Sequence, residues 1–244
     1  MYIDTEFYFD SAPLDGVVYD AATTWEIEQA AGMDAVVWMP QPYLRPHNAE
    51  MAQALQGFAH QDRFILCCTL NPQFGQQTVD ELEQCANQFK MRALKLMPTL
   101  HGFSLKSPWV TALLDKARDL KLVVNIHSGS HQAHPLQIAA LAKRYPNLPF
   151  IMDHMGYREF IGDAVTAAQE CPNVFLSTTL VSPAEPVSIK FVVQDVGAER
   201  VVFGSNAPGT YVDMSMEGIR RQKLGRDAED LIFGGNAARI YGLA

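Results

Sequence analysis

Short apolar runs return along the chain every few tens of residues: "YIDTEFYF", "DAVVWMP", "RFILCCTL", "RALKLMP", "LVVNIHSG", "FIMDHMG", "NVFLSTTL" and "RVVFGSN". Each is short and rich in Val, Ile, Leu or Phe. Runs of that length and make-up are what strands buried on both faces of a parallel sheet require. Between them lie stretches with helical spacing: "AATTWEIEQAAG", "NAEMAQALQGFAH", "VDELEQCANQF", "PWVTALLDKARDL", "HPLQIAALAKRYP" and "DAVTAAQECP". In "PWVTALLDKARDL", Val110, Leu113, Leu114 and Ala117 fall on one face, and Asp115, Lys116 and Arg118 lie opposite. Pro108 fits the first turn of that helix. The tail "AEDLIFGGNAARIYGL" predicts two short closing helices broken at Gly234 and Gly235.

Eight strands alternating with about eight helices predict an α/β fold, a single (β/α)8 TIM barrel over residues 1–244. The competing arrangement is an open doubly wound sheet. That fold opens with a Gly-rich phosphate loop after its first strand, and none follows residues 2–9. No internal repeat, low-complexity tract or linker interrupts the rhythm.

Composition narrows the class. Hydrophobic residues make up 48% of the 244 and charged residues 19%, as in a packed globular chain. The net charge of −8 comes without a basic stripe, which argues against nucleic acid as partner and for a small-molecule substrate. Cys67, Cys68, Cys85 and Cys171 match no zinc or redox spacing and read as small core residues in a reducing compartment. No signal-peptide pattern and no apolar run of about 18 residues is present. The expectation is a cytoplasmic protein without a membrane partner.

In such barrels chemistry sits where strands end. The first strand offers Asp4, Glu6 and Tyr8, which share a face by the two-residue period. The fourth offers Lys95. The fifth ends at Asn125 and His127, the sixth at His154, the eighth at Ser205 and Asn206. Two histidines at equivalent tips of neighbouring strands can share a substrate or a metal ion with Glu6 and Asn206, because imidazole nitrogen and carboxylate oxygen both ligate divalent ions. Glu6 answers equally to a metal or to a salt bridge with Lys95. Asp4 lies a layer deeper, in a structural hydrogen bond. Asp153 precedes His154 and is expected to face away from it, capping a helix or pairing outside. Arg158 follows "DHMGY" and can clamp a carboxylate. His101, His131 and His134 belong to loops.

"YIDTEFYF", "ALKLMPTLHGF", "VVNIHSGS", "FIMDHMG", "NVFLSTTL", "RVVFGSNAP" and "GGNAARIYGL" resemble, in order and spacing, the amidohydrolase superfamily. The nearest branch is the amidohydrolase-related one, which holds aminocarboxymuconate semialdehyde decarboxylase, resorcylate-type decarboxylases and dicarboxylate lactonases. The resemblance implies a barrel with one divalent metal, zinc first, with manganese or magnesium as alternatives. It implies His127 as metal ligand and His154 as acid/base. The family's first strand normally ends His-x-His, where this chain has Glu6 and Tyr8. The family's last-strand aspartate is Asn206 here. These exchanges remove two nitrogen donors and a base, which weakens a metal site or abolishes it. In other branches the lysine at the place of Lys95 is carboxylated and bridges two metals; this branch does without that.

The expectation is therefore a metal-dependent hydrolase of a small amide, lactone or ester. Glu6 and His127 hold the ion, His154 and Asn206 act in catalysis, and Tyr8, Lys95 and Arg158 contact substrate. The alternatives are a decarboxylase of a small aromatic or unsaturated acid, and a catalytically impaired barrel kept for binding. Barrels of this group often form homodimers, the assembly this resemblance suggests.

Overall fold

The computed structural model describes residues 1–184 and 186–243. All eight expected strands form. They are β1 (Ile3–Leu14), β3 (Ala35–Pro40), β4 (Phe64–Leu70), β5 (Ala93–Leu96), β6 (Val123–His127), β7 (Phe150–Asp153), β8 (Val174–Ser177) and β9 (Val201–Val202). A strand the sequence did not announce, β2 (Val17–Tyr19), folds back antiparallel on the end of β1. The other neighbours run parallel in chain order, β1-β3-β4-β5-β6-β7-β8-β9.

The sheet closes on itself. Thr5 N donates to Phe203 O at 3.0 Å, Asn206 N to Glu6 O at 3.0 Å, and Tyr8 N to Ala207 O at 2.8 Å. Closure leaves no long free edge between the first and last strands.

Helices cover the outside: α1 (Ala21–Ala31), α2 (Asn48–Ala54), α3 (Gln76–Gln88), α4 (Pro98–His101), α5 (Pro108–Asp119), α6 (Pro135–Arg144), α7 (Tyr157–Glu170), α8 (Val181–Ala184), α9 (Pro186–Val196), α10 (Val212–Arg220), α11 (Arg226–Asp230) and α12 (Asn236–Ile240). In α5 the expected face is the buried one: Val110, Leu113, Leu114 and Ala117 are fully enclosed. Each large side chain there contributes about 1.5–3 kcal/mol of burial. Ser107 starts the helix by accepting from Trp109 N, with Pro108 in its first turn.

Inside the barrel, Val37, Cys67, Ala93, Val123, Ile151, Phe175 and Val202 form one cluster with Ala237, Ala238 and Tyr241. The last helix thus plugs the barrel floor. The expected break at Gly234 and Gly235 does not occur. A π-type turn over 231–235 joins α11 to α12 with helical torsions at Gly235. Gly234 is needed for a different reason, since a Cβ there would run into the backbone of Met1 and Tyr2. All four cysteines are buried and free. No helix among the described residues is long and apolar enough to cross a membrane.

Candidate active site

The site starts from an irregularity in β1. Its pairing with β3 runs Ile3 to Ala35 and Asp4 to Val36, then resumes at Phe7 to Trp38. Thr5 and Glu6 together oppose Val37 alone, which is a β-bulge. The extra residue breaks the two-residue alternation. Glu6 and Tyr8 enter the barrel, but Asp4 does not join them, contrary to the simple period. Asp4 Oδ1 accepts from Glu6 N at 3.0 Å and from Ser205 N at 2.9 Å. Its carboxyl meets that of Glu28 on α1. Burial lifts Asp4 to about 6 and Glu28 well above the carboxylate range, the latter reinforced by the charge of Asp4. Both carboxyls therefore favour their protonated forms, outside the barrel.

Inside, Lys95 Nζ donates to Glu6 Oε2 at 2.9 Å and to Asp153 Oδ2, and all three side chains are wholly enclosed. Tyr8 donates its hydroxyl to Glu6 Oε1 at 2.8 Å. Burial alone would raise Glu6, but the Lys95 charge reverses this and holds it below its ordinary value. Burial, reinforced by Glu6, drives Asp153 well above the carboxylate range. Burial works against the Lys95 ammonium, yet the Asp153 and Glu6 charges outweigh it and keep the lysine well above its ordinary value. Lys95 thus supplies the counter-charge for two buried carboxyls, of which Glu6 is held toward its ionised form and Asp153 is pushed toward its protonated one. Asp153 Oδ1 has no hydrogen-bond partner among the described residues.

Asp153 was expected to face away from His154, and it does not. His154, Met155, Gly156 and Tyr157 all have positive φ, at 60°, 47°, 78° and 51°. This left-handed run ends the pleat and turns both Asp153 and His154 toward one centre. Ser128 pins the turn: its hydroxyl donates to Asp153 O and accepts from Gly156 N.

His154 Nδ1 lies 3.0 Å from Thr179 O, and its Nε2 lies 2.9 Å from His127 Nδ1. A carbonyl can only accept, so His154 carries its proton on Nδ1. Its Nε2 must then accept from His127 Nδ1–H. The remaining nitrogen, His127 Nε2, is left as a lone pair on a ring that is only partly buried at the strand tip. Burial first, and the nearby charge of Lys95 after it, lowers His154 to about 3; burial, His154 and Lys95 lower His127 to about 3. Both rings are neutral at pH 7. Tyr157 stacks on His154 with centroids 4.3 Å apart and an interplanar angle of 16°, and lies 5.9 Å from His127. A Cβ on Gly129 would collide with the Tyr157 ring, so glycine is required there, at φ 93°.

Glu6, Tyr8, Lys95, His127 and His154 thus gather around one centre. Lys95, expected to meet substrate, is fully buried behind its two carboxyl partners and cannot do so. Asn206 sits in the loop after β9, with φ 66°. Its N–H is spent on Glu6 O and its side chain turns toward Gly209. Arg158 is exposed on α7 and lines, with Tyr157, Ile161 and Leu180, a cavity of about 310 Å³ beside the centre. Sequence reasoning missed Asp153 and Tyr157. The alternation rule pointed Asp153 the wrong way, and Tyr157 carried no signal beyond being aromatic after "HMG". His101 is structural, bonded to Pro42 O and Tyr43 O.

Glu6, Asp153 and His154 each present one ligand-type atom, all within 4.8 Å of one another. The donor chemistry suits a divalent ion, but the arrangement does not fit one. Lys95 already bonds both carboxyls, and both nitrogens of His154 are engaged. An incoming ion would share the pocket with a like charge.

The amidohydrolase family model matches residues 21–243. No curated protein matches the chain. Among solved structures, a TIM-barrel protein from Bordetella bronchiseptica is similar over 99% of this chain and 98% of its own, at 16% identity and a TM-score of 0.80. The 5-carboxyvanillate decarboxylase of Sphingomonas paucimobilis is similar over 99% and 98%, at 18% identity and a TM-score of 0.74. That of Novosphingobium aromaticivorans, solved with manganese and 4-hydroxy-3-methoxy-5-nitrobenzoic acid, is similar over 99% and 96%, at 15% identity and a TM-score of 0.77. At these identities the likeness is one of fold.

Proposed function

Since the chain belongs to the amidohydrolase family, we propose that it hydrolyses a small carbonyl compound, an amide, lactone or ester, at the barrel mouth. The observation that carries this reading is the directed imidazole pair. Thr179 O fixes the tautomer of His154, His154 fixes that of His127, and His127 Nε2 is left with a lone pair on a ring only partly buried at the strand tip. A neutral imidazole in that state takes a proton.

In this scheme His127 Nε2 removes a proton from water as the water oxygen attacks the carbonyl carbon. The resulting imidazolium is stabilised by His154 Nε2 and by the charge of Glu6. The leaving oxygen or nitrogen recovers that proton from His127 as the tetrahedral species collapses. The Tyr157 hydroxyl and the Asn206 amide have no side-chain hydrogen bond among the described residues and are available to the developing oxyanion. His154 is a positioning residue, where the sequence suggested the acid/base itself.

Decarboxylation is the reaction named for several of the structurally similar proteins, the two 5-carboxyvanillate decarboxylases among them. It needs a donor to protonate the carbon that loses carbon dioxide. The only N–H on His127 is already given to His154, which favours hydrolysis. Incubation of the protein with lactones, aryl esters, N-acyl amides and hydroxybenzoates, followed by acid titration and carbon dioxide release, tests the choice. Acid release that disappears in His127→Asn is expected. Carbon dioxide release without hydrolysis, or no hydrolysis above that variant, overturns the proposal.

A further inference from the structure

We propose that the Lys95 ammonium is the resident cation of this centre, occupying with a tethered side chain the place where a metal would sit. The inference rests on reading the barrel mouth as the active site, but its test does not depend on turnover. The geometry is specific. Two enclosed carboxyls converge on one Nζ, at 2.9 Å for Glu6 and in direct contact for Asp153. The face of the Tyr8 ring lies 5.9 Å from the same atom. A buried pair of acids needs a counter-charge, and a hydrogen-bonded one is the most effective. Lys95 provides it from β5, across the barrel from Glu6 on β1.

The donors a metal would otherwise use are missing or committed. Tyr8 and Asn206 stand where the resemblance expects a histidine and an aspartate. His154 has both nitrogens bonded, and the Tyr8 hydroxyl is given to Glu6. These separate changes agree with one another if the cation is Lys95. A covalently held cation cannot dissociate or be removed by a chelator. Withdrawing it should convert the centre into a metal site, because Glu6 and Asp153 would then face an uncompensated space and His154 Nε2 could exchange its bond from His127 for the ion.

The experiment is metal binding by the full chain, with zinc and manganese added singly at pH 7.5. Bound metal is measured after dialysis, and Tm is measured with and without metal. The wild-type protein is expected to retain well under one equivalent and to show no shift in Tm. Lys95→Ala is expected to have a lower Tm, to bind about one equivalent, and to recover several degrees of Tm on binding. Lys95→Met, which keeps the volume of the stem, carries the same expectation if the alanine variant does not fold. A stoichiometric metal ion on the wild-type protein at micromolar affinity overturns the proposal. So does a folded Lys95 variant that binds neither metal.

Discussion

His127 Nδ1 donates to His154 Nε2 at 2.9 Å, and His154 Nδ1–H donates to the Thr179 carbonyl at 3.0 Å. The pair therefore has a direction. Only the last nitrogen, on His127, is left with a lone pair, at the strand tip. In the proposed hydrolysis this makes His127 the group that meets substrate and His154 the one that orients it.

His127→Asn should lower kcat by about 100-fold or more, the usual range for a lost general base. His154→Asn should also lower kcat, and partial activity should return with His154→Gln if its amide reaches His127. Steady-state kinetics on a hydrolysable lactone or ester reads both, and Tm of each variant separates chemistry from folding.

The pair also predicts a pH profile. Both imidazoles are held at about 3, below the ordinary histidine value of 6.5. Folding therefore favours their neutral forms. That contribution is complete above about 6.5 and is lost as pH falls toward 3, at up to about 1.4 kcal/mol per pH unit for each ring. Denaturant titrations at several pH values should show the wild-type protein losing stability relative to His127→Asn in that window. Its kcat/KM should show no acid limb near pH 6.5.

The sheet order and the α5 face were legible because apolar runs and helical spacing report burial directly. The gathering of Glu6, His127 and His154 was legible because strand tips of a barrel converge. Strict alternation held for Glu6 and Tyr8, which share the inner face, and failed at Asp4 and Asp153. Thr5 and Glu6 oppose one residue, which turns Asp4 outward, and four successive positive φ angles from His154 to Tyr157 turn Asp153 inward. Neither a bulge nor a positive-φ run with three non-glycine members is written in side-chain polarity. The salt bridge of Lys95 to Glu6 was one of the two readings open for Glu6, and it forms; its second partner was hidden because Asp153 was expected on the outside.

The outward pair makes its own prediction. Burial raises Asp4 to about 6 and Glu28 well above its ordinary value, so both favour the protonated form when folded. For Asp4 this support is present below about 4 and is lost as pH rises through 6. Glu28→Gln, which keeps a neutral donor facing Asp4, should raise stability at pH 8 by about 1 kcal/mol. Asp4→Ala should cost about 3 kcal/mol, because the N–H groups of Glu6 and Ser205 lose their buried acceptor. Chemical denaturation at pH 5 and pH 8 checks both.

Gly129→Ala tests the Tyr157 stack. The added methyl group meets the Tyr157 ring at a position whose φ is already unfavourable for alanine. A loss of about 1–3 kcal/mol and a lower kcat are expected. Gly162→Ala, in α7 with nothing within 4 Å of the new methyl, should instead be neutral or stabilising by up to about 1 kcal/mol.

The bond from Ser205 N to Asp4 Oδ1 ties residues 201 positions apart, and the neighbouring bonds from Phe203 to Ala207 join the same two strands. During synthesis on the ribosome the opening strand must wait for almost the whole chain before it finds this partner. Glu6 and the histidines are therefore brought to their working positions only by the final zipping of the wall. A chain clipped of either margin would lack the bonds that close this wall.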